Sequence, residues 1–239
     1  MVKQTDSKSD TRIQNSILVP VSKQNVIDEY QQSSSLPYAW QRCVWGGTES
    51  MLGRFRFGLN ELPFETVRSW LDVGCGEVDF FVMAEEQGHR FERLVGVDIT
   101  PAMIERARSK VLAGPCEFHV ADLATLPETL TGFDLISMLG VLQKCGMEPR
   151  DVFHALAPRL STHGTLYLTT KNRLWSKFSE GYLQPTVGHS WYNPYELAEI
   201  AEQAGLSVQR LGGLLPREAR EVPVDASQTV YLILTRAAA

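Results

Sequence analysis

The run Trp70-Leu71-Asp72-Val73-Gly74-Cys75-Gly76-Glu77-Val78-Asp79 constrains this chain more than any other stretch. An apolar segment ends at two glycines separated by one residue, and Phe80, Phe81, Val82 and Met83 then begin a helix-like segment. The pattern is strand, tight turn, helix. Glycine has no Cβ, so such a turn lets backbone approach a ligand closely. The helix that follows aims its unpaired N–H groups at the same place. Beyond Gly76, the run Leu94-Val95-Gly96-Val97-Asp98 gives a second apolar strand ending in a carboxylate. An acid about 20 residues past the glycines is placed to grip a ribose in nucleotide-type α/β sites.

A dinucleotide fingerprint, G-x-G-x-x-G, would need glycine where this chain has Asp79. A carboxylate there repels a pyrophosphate, which disfavours a nicotinamide or flavin site. An acid, one residue, then G-x-G-x-G is instead the first motif of the class I S-adenosylmethionine-dependent methyltransferases. Asp72, Gly74 and Gly76 match it, and Val78 stands at the third glycine. The sequence resembles that family in outline from about residue 65 to 239, and before that by position only. The resemblance implies an α/β fold: a Rossmann-like, seven-stranded, mostly parallel sheet with helices on both faces, an antiparallel last strand and an N-terminal helical cap. It implies S-adenosyl-L-methionine as cofactor. It places the ribose hydroxyls on Asp98 and the adenine amino group on Asp122, with the next backbone N–H, at Leu123, against the ring. Ile99 and Met103 fall where the adenine face is covered. Ser137 to Gly140, and so Leu139, fall beside the transferred methyl.

A length of 239 residues suits one α/β domain with a helical cap. The formal charge of −5 gives no basic footprint for nucleic acid. No apolar run approaches the roughly 20 residues of a membrane helix. The polar start lacks a secretory h-region. Cys43, Cys75, Cys116 and Cys145 form no C-x-x-C pair, so neither a metal site nor a disulfide framework is expected. The expectation is a cytoplasmic protein with reduced cysteines, no metal, no nucleic-acid partner and no membrane partner.

Residues 1–22 are polar and irregular and read as a disordered tail. Residues 23–66 are rich in aromatic residues and read as a helical cap of short helices. Residues 67–239 read as the cofactor domain. Further strands are expected at 117–120, 133–139, 164–170, from 206, and at 230–234, with 212–226 a loop. Thr100-Pro101 and Asn193-Pro194 read as helix starts. The connection 171–192 is long for its kind and carries Trp175, Phe178, Tyr182, His189, Trp191 and Tyr192. Long loops at this edge tend to carry function. We expect it to form one wall of an acceptor pocket through Trp191 and Tyr192, with Tyr30, Tyr38, Trp40 and Trp45 of the cap opposite. Plain core packing competes for each aromatic. Arg54 and Arg56 are candidates for meeting a carboxylate, either the methionine's or the acceptor's. His189 is the candidate base because histidine titrates near neutrality.

At the end of the fourth strand there is no Asn-Pro-Pro-Tyr or Asp-Pro-Pro-Tyr, no acidic cluster suited to magnesium, and no cysteine preceded by proline. Asn193-Pro194-Tyr195 lies after the fifth strand and imitates the first of these only in composition. The expected function is S-adenosylmethionine-dependent methylation at O or N of a small acceptor, aromatic or heteroaromatic. Two alternatives are a protein or peptide methyltransferase, which needs an acidic groove, and a non-catalytic binding module on the same scaffold.

Overall fold

A computed structural model describes residues 15–182, 184 and 188–237. The chain opens with α1 (Lys23–Ser33), α2 (Ala39–Arg42) and α3 (Thr48–Glu61). The alternating part follows as β1 (Ser69–Val73), α4 (Asp79–Glu86), β2 (Arg93–Asp98), α5 (Pro101–Arg108), β3 (Cys116–Val120), β4 (Phe133–Leu139), α6 (Pro149–Leu156) and β5 (Leu160–Lys171). The rest is α7 (Ser176–Ser179), α8 (Pro194–Gln203), β6 (Leu206–Leu215), β7 (Arg220–Val222) and β8 (Thr229–Arg236).

The strands form one sheet in the order β3-β2-β1-β4-β5-β8-β6-β7. The pairs from β3 to β5 are parallel, and β8, β6 and β7 join antiparallel. The sheet therefore has eight strands rather than seven. The added strand is β7, inside the stretch expected as a loop over 212–226. Its glycines mark close packing: a Cβ on Gly212 would meet Glu221 Oε1 at 2.8 Å and the Tyr231 ring at 2.9 Å, and one on Gly213 would meet the Pro223 carbonyl oxygen at 2.5 Å. Glycine inside a strand signals such an approach as well as a turn.

Side chains alternate cleanly between the two faces, as the period of two requires. Leu71, Val95, Ile136, Leu166 and Leu232 pack with α6 and α8 on one face. Trp70, Leu94, Leu135, Tyr167 and Tyr231 pack with α3, α4 and α5 on the other. Of the three front helices, α3 is built into this second layer, with Phe57 4.7 Å from the Tyr231 ring and the Tyr167 hydroxyl donating to the Arg54 carbonyl at 3.0 Å. No residue of α1 is buried.

Residues 15–22, expected as part of an irregular tail, are held in place. Ile17 and Trp191 exchange backbone hydrogen bonds at 2.7 and 2.8 Å, and Ser16 donates to Glu196 at 2.6 Å. The rest of that tail, residues 1–14, lies outside the described residues.

Candidate cofactor and acceptor site

Strand order reverses between β1 and β4, and ligands in open α/β sheets bind beyond the strand ends at such a point. A cavity of about 360 Å³ lies there. Its floor is the glycine bend. Gly74 sits at φ +72°, and a Cβ on it would lie 2.2 Å from Val141 Cγ2. Gly76 sits at φ +53°. Val78, at the third glycine position, also keeps a left-handed backbone at φ 58°. The bend thus demands positive φ at three positions, and the third is met by a β-branched side chain at a cost of about 1–2 kcal/mol.

Asp72 stands opposite Ser137 in the β1–β4 register and accepts its hydroxyl at 2.5 Å. Ser137 in turn accepts the Trp70 indole N–H at 2.8 Å. No cation pairs with Asp72 among the described residues, and burial raises its carboxyl to about 7. Asp98 accepts the backbone N–H of Gly76 at 3.0 Å and of Thr100 at 2.9 Å, one on each oxygen. Burial raises this carboxyl too, and those two N–H groups oppose the rise. The Thr100 hydroxyl and the Ile99 N–H oppose it as well. The Thr100 side chain makes no cap hydrogen bond to α5. Asp122 bonds the Ala124 N–H at 3.0 Å and is paired with Lys23 from α1.

The cavity brings together Asp72, Gly74, Gly76, Asp98, Ile99, Asp122, Leu123, Leu139, Tyr30, Trp45 and His189. Six other candidates fall elsewhere. Met103 is fully buried in α5. Tyr38 is 62% exposed ahead of α2. Trp40 packs on the α3 layer. Trp191 and Tyr192, expected as pocket wall, are core residues. Trp191 packs edge-on against Phe178 at 4.8 Å, and the Tyr192 hydroxyl donates to the Leu142 carbonyl at 3.0 Å. The reason lies in the backbone: bridges of Trp191 to Ile17 and of Tyr192 to Asn172 draw this segment back onto the sheet. Of the connection 171–192, Lys171 and His189 reach the cavity among the described residues, while 183 and 185–187 lie outside them. Arg56 points away and pairs with Glu49 at 2.7 Å.

His189 is half-buried, and its Nδ1 has no hydrogen-bond partner among the described residues. Burial, then Lys144 and Lys171, push its pKa down to about 4. The imidazole is therefore neutral at neutral pH and resists becoming charged.

Lys23, Gln143, Lys144 and Lys171 line the cavity and went unnoticed in the sequence. Lys171 was findable: it closes β5, and the rule that points to the end of β4 applies equally to its neighbour. Lys23 and Lys144 carry no such signal, because α1 and the loop after β4 meet only in three dimensions.

Residues 71–164 match the profile of the family described as "Methyltransferase domain". That match spans less than half of the chain, and the fold is the one seen in the solved methyltransferase structures named below.

Among curated proteins, it is similar to a ubiquinone biosynthesis O-methyltransferase of Chromobacterium violaceum, 25% identical over 162 residues, which are 60% of this chain and 66% of that protein. The chain thus spans just under two thirds of that relative. Among solved structures, one chain of a complex between the Haloferax volcanii Trm112 methyltransferase activator and a methyltransferase superposes with TM-score 0.67 at 17% identity, over 90% of this chain and 98% of the other. Magnesium protoporphyrin IX methyltransferase from Synechocystis PCC 6803, with bound S-adenosylhomocysteine, gives 0.62 at 16% identity, over 90% and 100%. No helix among the described residues is long and apolar enough to cross a membrane.

Proposed function

We propose that this chain is an S-adenosylmethionine-dependent methyltransferase acting at O or N of a small aromatic or heteroaromatic acceptor by in-line displacement. The single observation behind this reading is a continuous cavity whose two ends differ. One end is the glycine bend with Asp72 and Asp98, where the Asp98 charge also acts on the Tyr30 phenol; the other is walled by Trp45, Arg54, Lys171 and His189.

The residues present suit the cofactor. Asp98 offers two anchored oxygens to a ribose diol, and Asp72 is a buried carboxylate in want of a positive charge. Gly74 lets Val141 pack directly against the bend, with Cγ2 2.2 Å from where a Cβ would stand. Leu123 and Ile99 supply apolar cover for a base. S-adenosylmethionine brings an already electrophilic methyl group to such a site. What remains for the protein is to place the acceptor and exclude water. Trp45 contributes to both, lying against Gly140, where an added Cβ would come within 2.6 Å of its ring. Tyr30 stays protonated, since burial raises its phenol, and serves as a wall and hydrogen-bond donor rather than a base. His189 faces the acceptor as a neutral, weakly basic hydrogen-bond acceptor, because burial, then Lys144 and Lys171, lower its pKa to about 4.

A peptide acceptor would favour carboxylates at this end, and the basic and aromatic side chains found there support a small molecule instead. Incubating the protein with methyl-labelled S-adenosylmethionine and a fractionated metabolite extract tests the reading. Label should appear in a small aromatic product; transfer only to protein, or to nothing, would contradict it.

A further inference from the structure

The far end of the cavity holds more positive charge than the protein neutralises. Arg54 is only 8% exposed. Its guanidinium donates to the Ser50 carbonyl, to Ser50 Oγ at 3.0 Å and to Thr229 Oγ1 at 3.1 Å, and lies 4.5 Å from the Trp45 ring centroid. All of these partners are neutral, and its Nε has none among the described residues. Lys171 stands directly opposite Thr229 in the β5–β8 register, so Arg54 is bonded to the rung partner of Lys171. The Lys171 ammonium lies 5.3 Å from the Trp191 ring centroid. Among the described residues no carboxylate pairs with either cation, whereas Lys144 nearby is matched by Glu29 at 2.7 Å. Burial, then Arg54 and Lys144, lower Lys171 to about 8, which keeps most of it charged at neutral pH.

Burying cations without a counter-charge is unfavourable unless something else brings the anion. The S-adenosyl ligand has one carboxylate, which satisfies at most one of the two. We propose that this end is an anion subsite, and that the acceptor carries an ionised acid, a carboxylate or a phosphate monoester, seated on Lys171 with Arg54 beside it. The inference rests on the methyltransferase reading and narrows its substrate class. An acid group there fixes one end of a flat acceptor and leaves Tyr30 and Trp45 to hold its ring.

The test uses the full chain saturated with S-adenosylhomocysteine. 4-Hydroxybenzoate and phenyl phosphate are compared with the neutral 4-hydroxybenzamide and phenol, detected by saturation-transfer NMR and quantified by calorimetry. At least one acid is expected to bind tenfold or more tighter than its neutral counterpart, and which acid does so names the group. Lys171→Met should abolish that preference while S-adenosylhomocysteine affinity stays within about twofold, and Lys171→Arg should keep the preference. Equal binding of acids and neutral compounds, binding of neither acid, or an undiminished preference in Lys171→Met would overturn the subsite and leave the cofactor reading standing. No heat from S-adenosylhomocysteine itself would overturn both.

Discussion

The two ends of the cavity are built on opposite plans. At the glycine bend, backbone does the work: left-handed turns at Gly74, Gly76 and Val78, and N–H groups of Gly76 and Thr100 that fix Asp98. Its acids, Asp72 and Asp98, come from neighbouring strands that pair in register. At the far end, side chains do the work, and they come from elements distant in sequence: Trp45 after α2, Arg54 on α3, Lys171 on β5 and His189 after the long connection. The difference teaches where a fold is rigid and where it is free to vary. Backbone geometry tolerates few residues, while a ring of side chains can be exchanged one by one to suit a different acceptor.

The sharpest way to break the contrast is Gly74→Val. With φ at +72° and Val141 Cγ2 2.2 Å from the added Cβ, the bend must move. Affinity for S-adenosylhomocysteine should fall on the order of 100-fold by calorimetry. Retention of near-normal affinity would show that the bend does not seat the ligand.

Next comes pH. The Asp72 carboxyl of the free protein titrates at about 7 because burial disfavours its charge. A ligand bearing an ammonium group binds the ionised form, so protonation must be reversed before binding below that value. Affinity for S-adenosylhomocysteine should then weaken by up to about tenfold per unit from pH 7 downward and level off above it. Asp72→Asn should remove the slope; an unchanged slope in that variant would assign it to another group.

A smaller effect is expected at Val78. Replacing it with glycine relieves about 1–2 kcal/mol of left-handed strain and gives up a buried valine of similar worth. The melting temperature should stay within about 3 °C, unlike Val97→Gly, where a buried valine is lost from an extended strand with no strain to relieve.

The least effect belongs to Lys23→Ala. Lys23 occupies Asp122 through a partly exposed ion pair, which is worth little. Its loss should change S-adenosylhomocysteine affinity by less than about threefold, toward tighter binding, because Asp122 is freed. A large loss would mean that α1 contributes contacts of its own.

How much of this was legible follows the same division. The bend, Asp72, Asp98 and Asp122 could be read from the sequence, because each lies at a strand tip and the strands follow one another in order. The sheet was readable except for β7 and the second half of β6, Gly212 to Leu215, hidden in a stretch whose Gly212 and Gly213 look like turn residues and are in fact places of close backbone approach. Aromatic density misled at the far end. Trp191 and Tyr192 are as suited to a pocket as to a core, and only the bridges to Ile17 and Asn172 decide between them. Val78 shows a subtler limit. Sequence suggests that its glycine position serves close packing, whereas the backbone reveals a requirement for positive φ.

The most direct measurement is a calorimetric titration of S-adenosylhomocysteine into the full-length chain and into Asp98→Ala. One site per chain is expected in the wild type, weakened roughly 10- to 100-fold when the anchored carboxylate is removed. An absence of binding, or binding that is indifferent to Asp98, would contradict the assignment of the glycine bend to the adenosyl group.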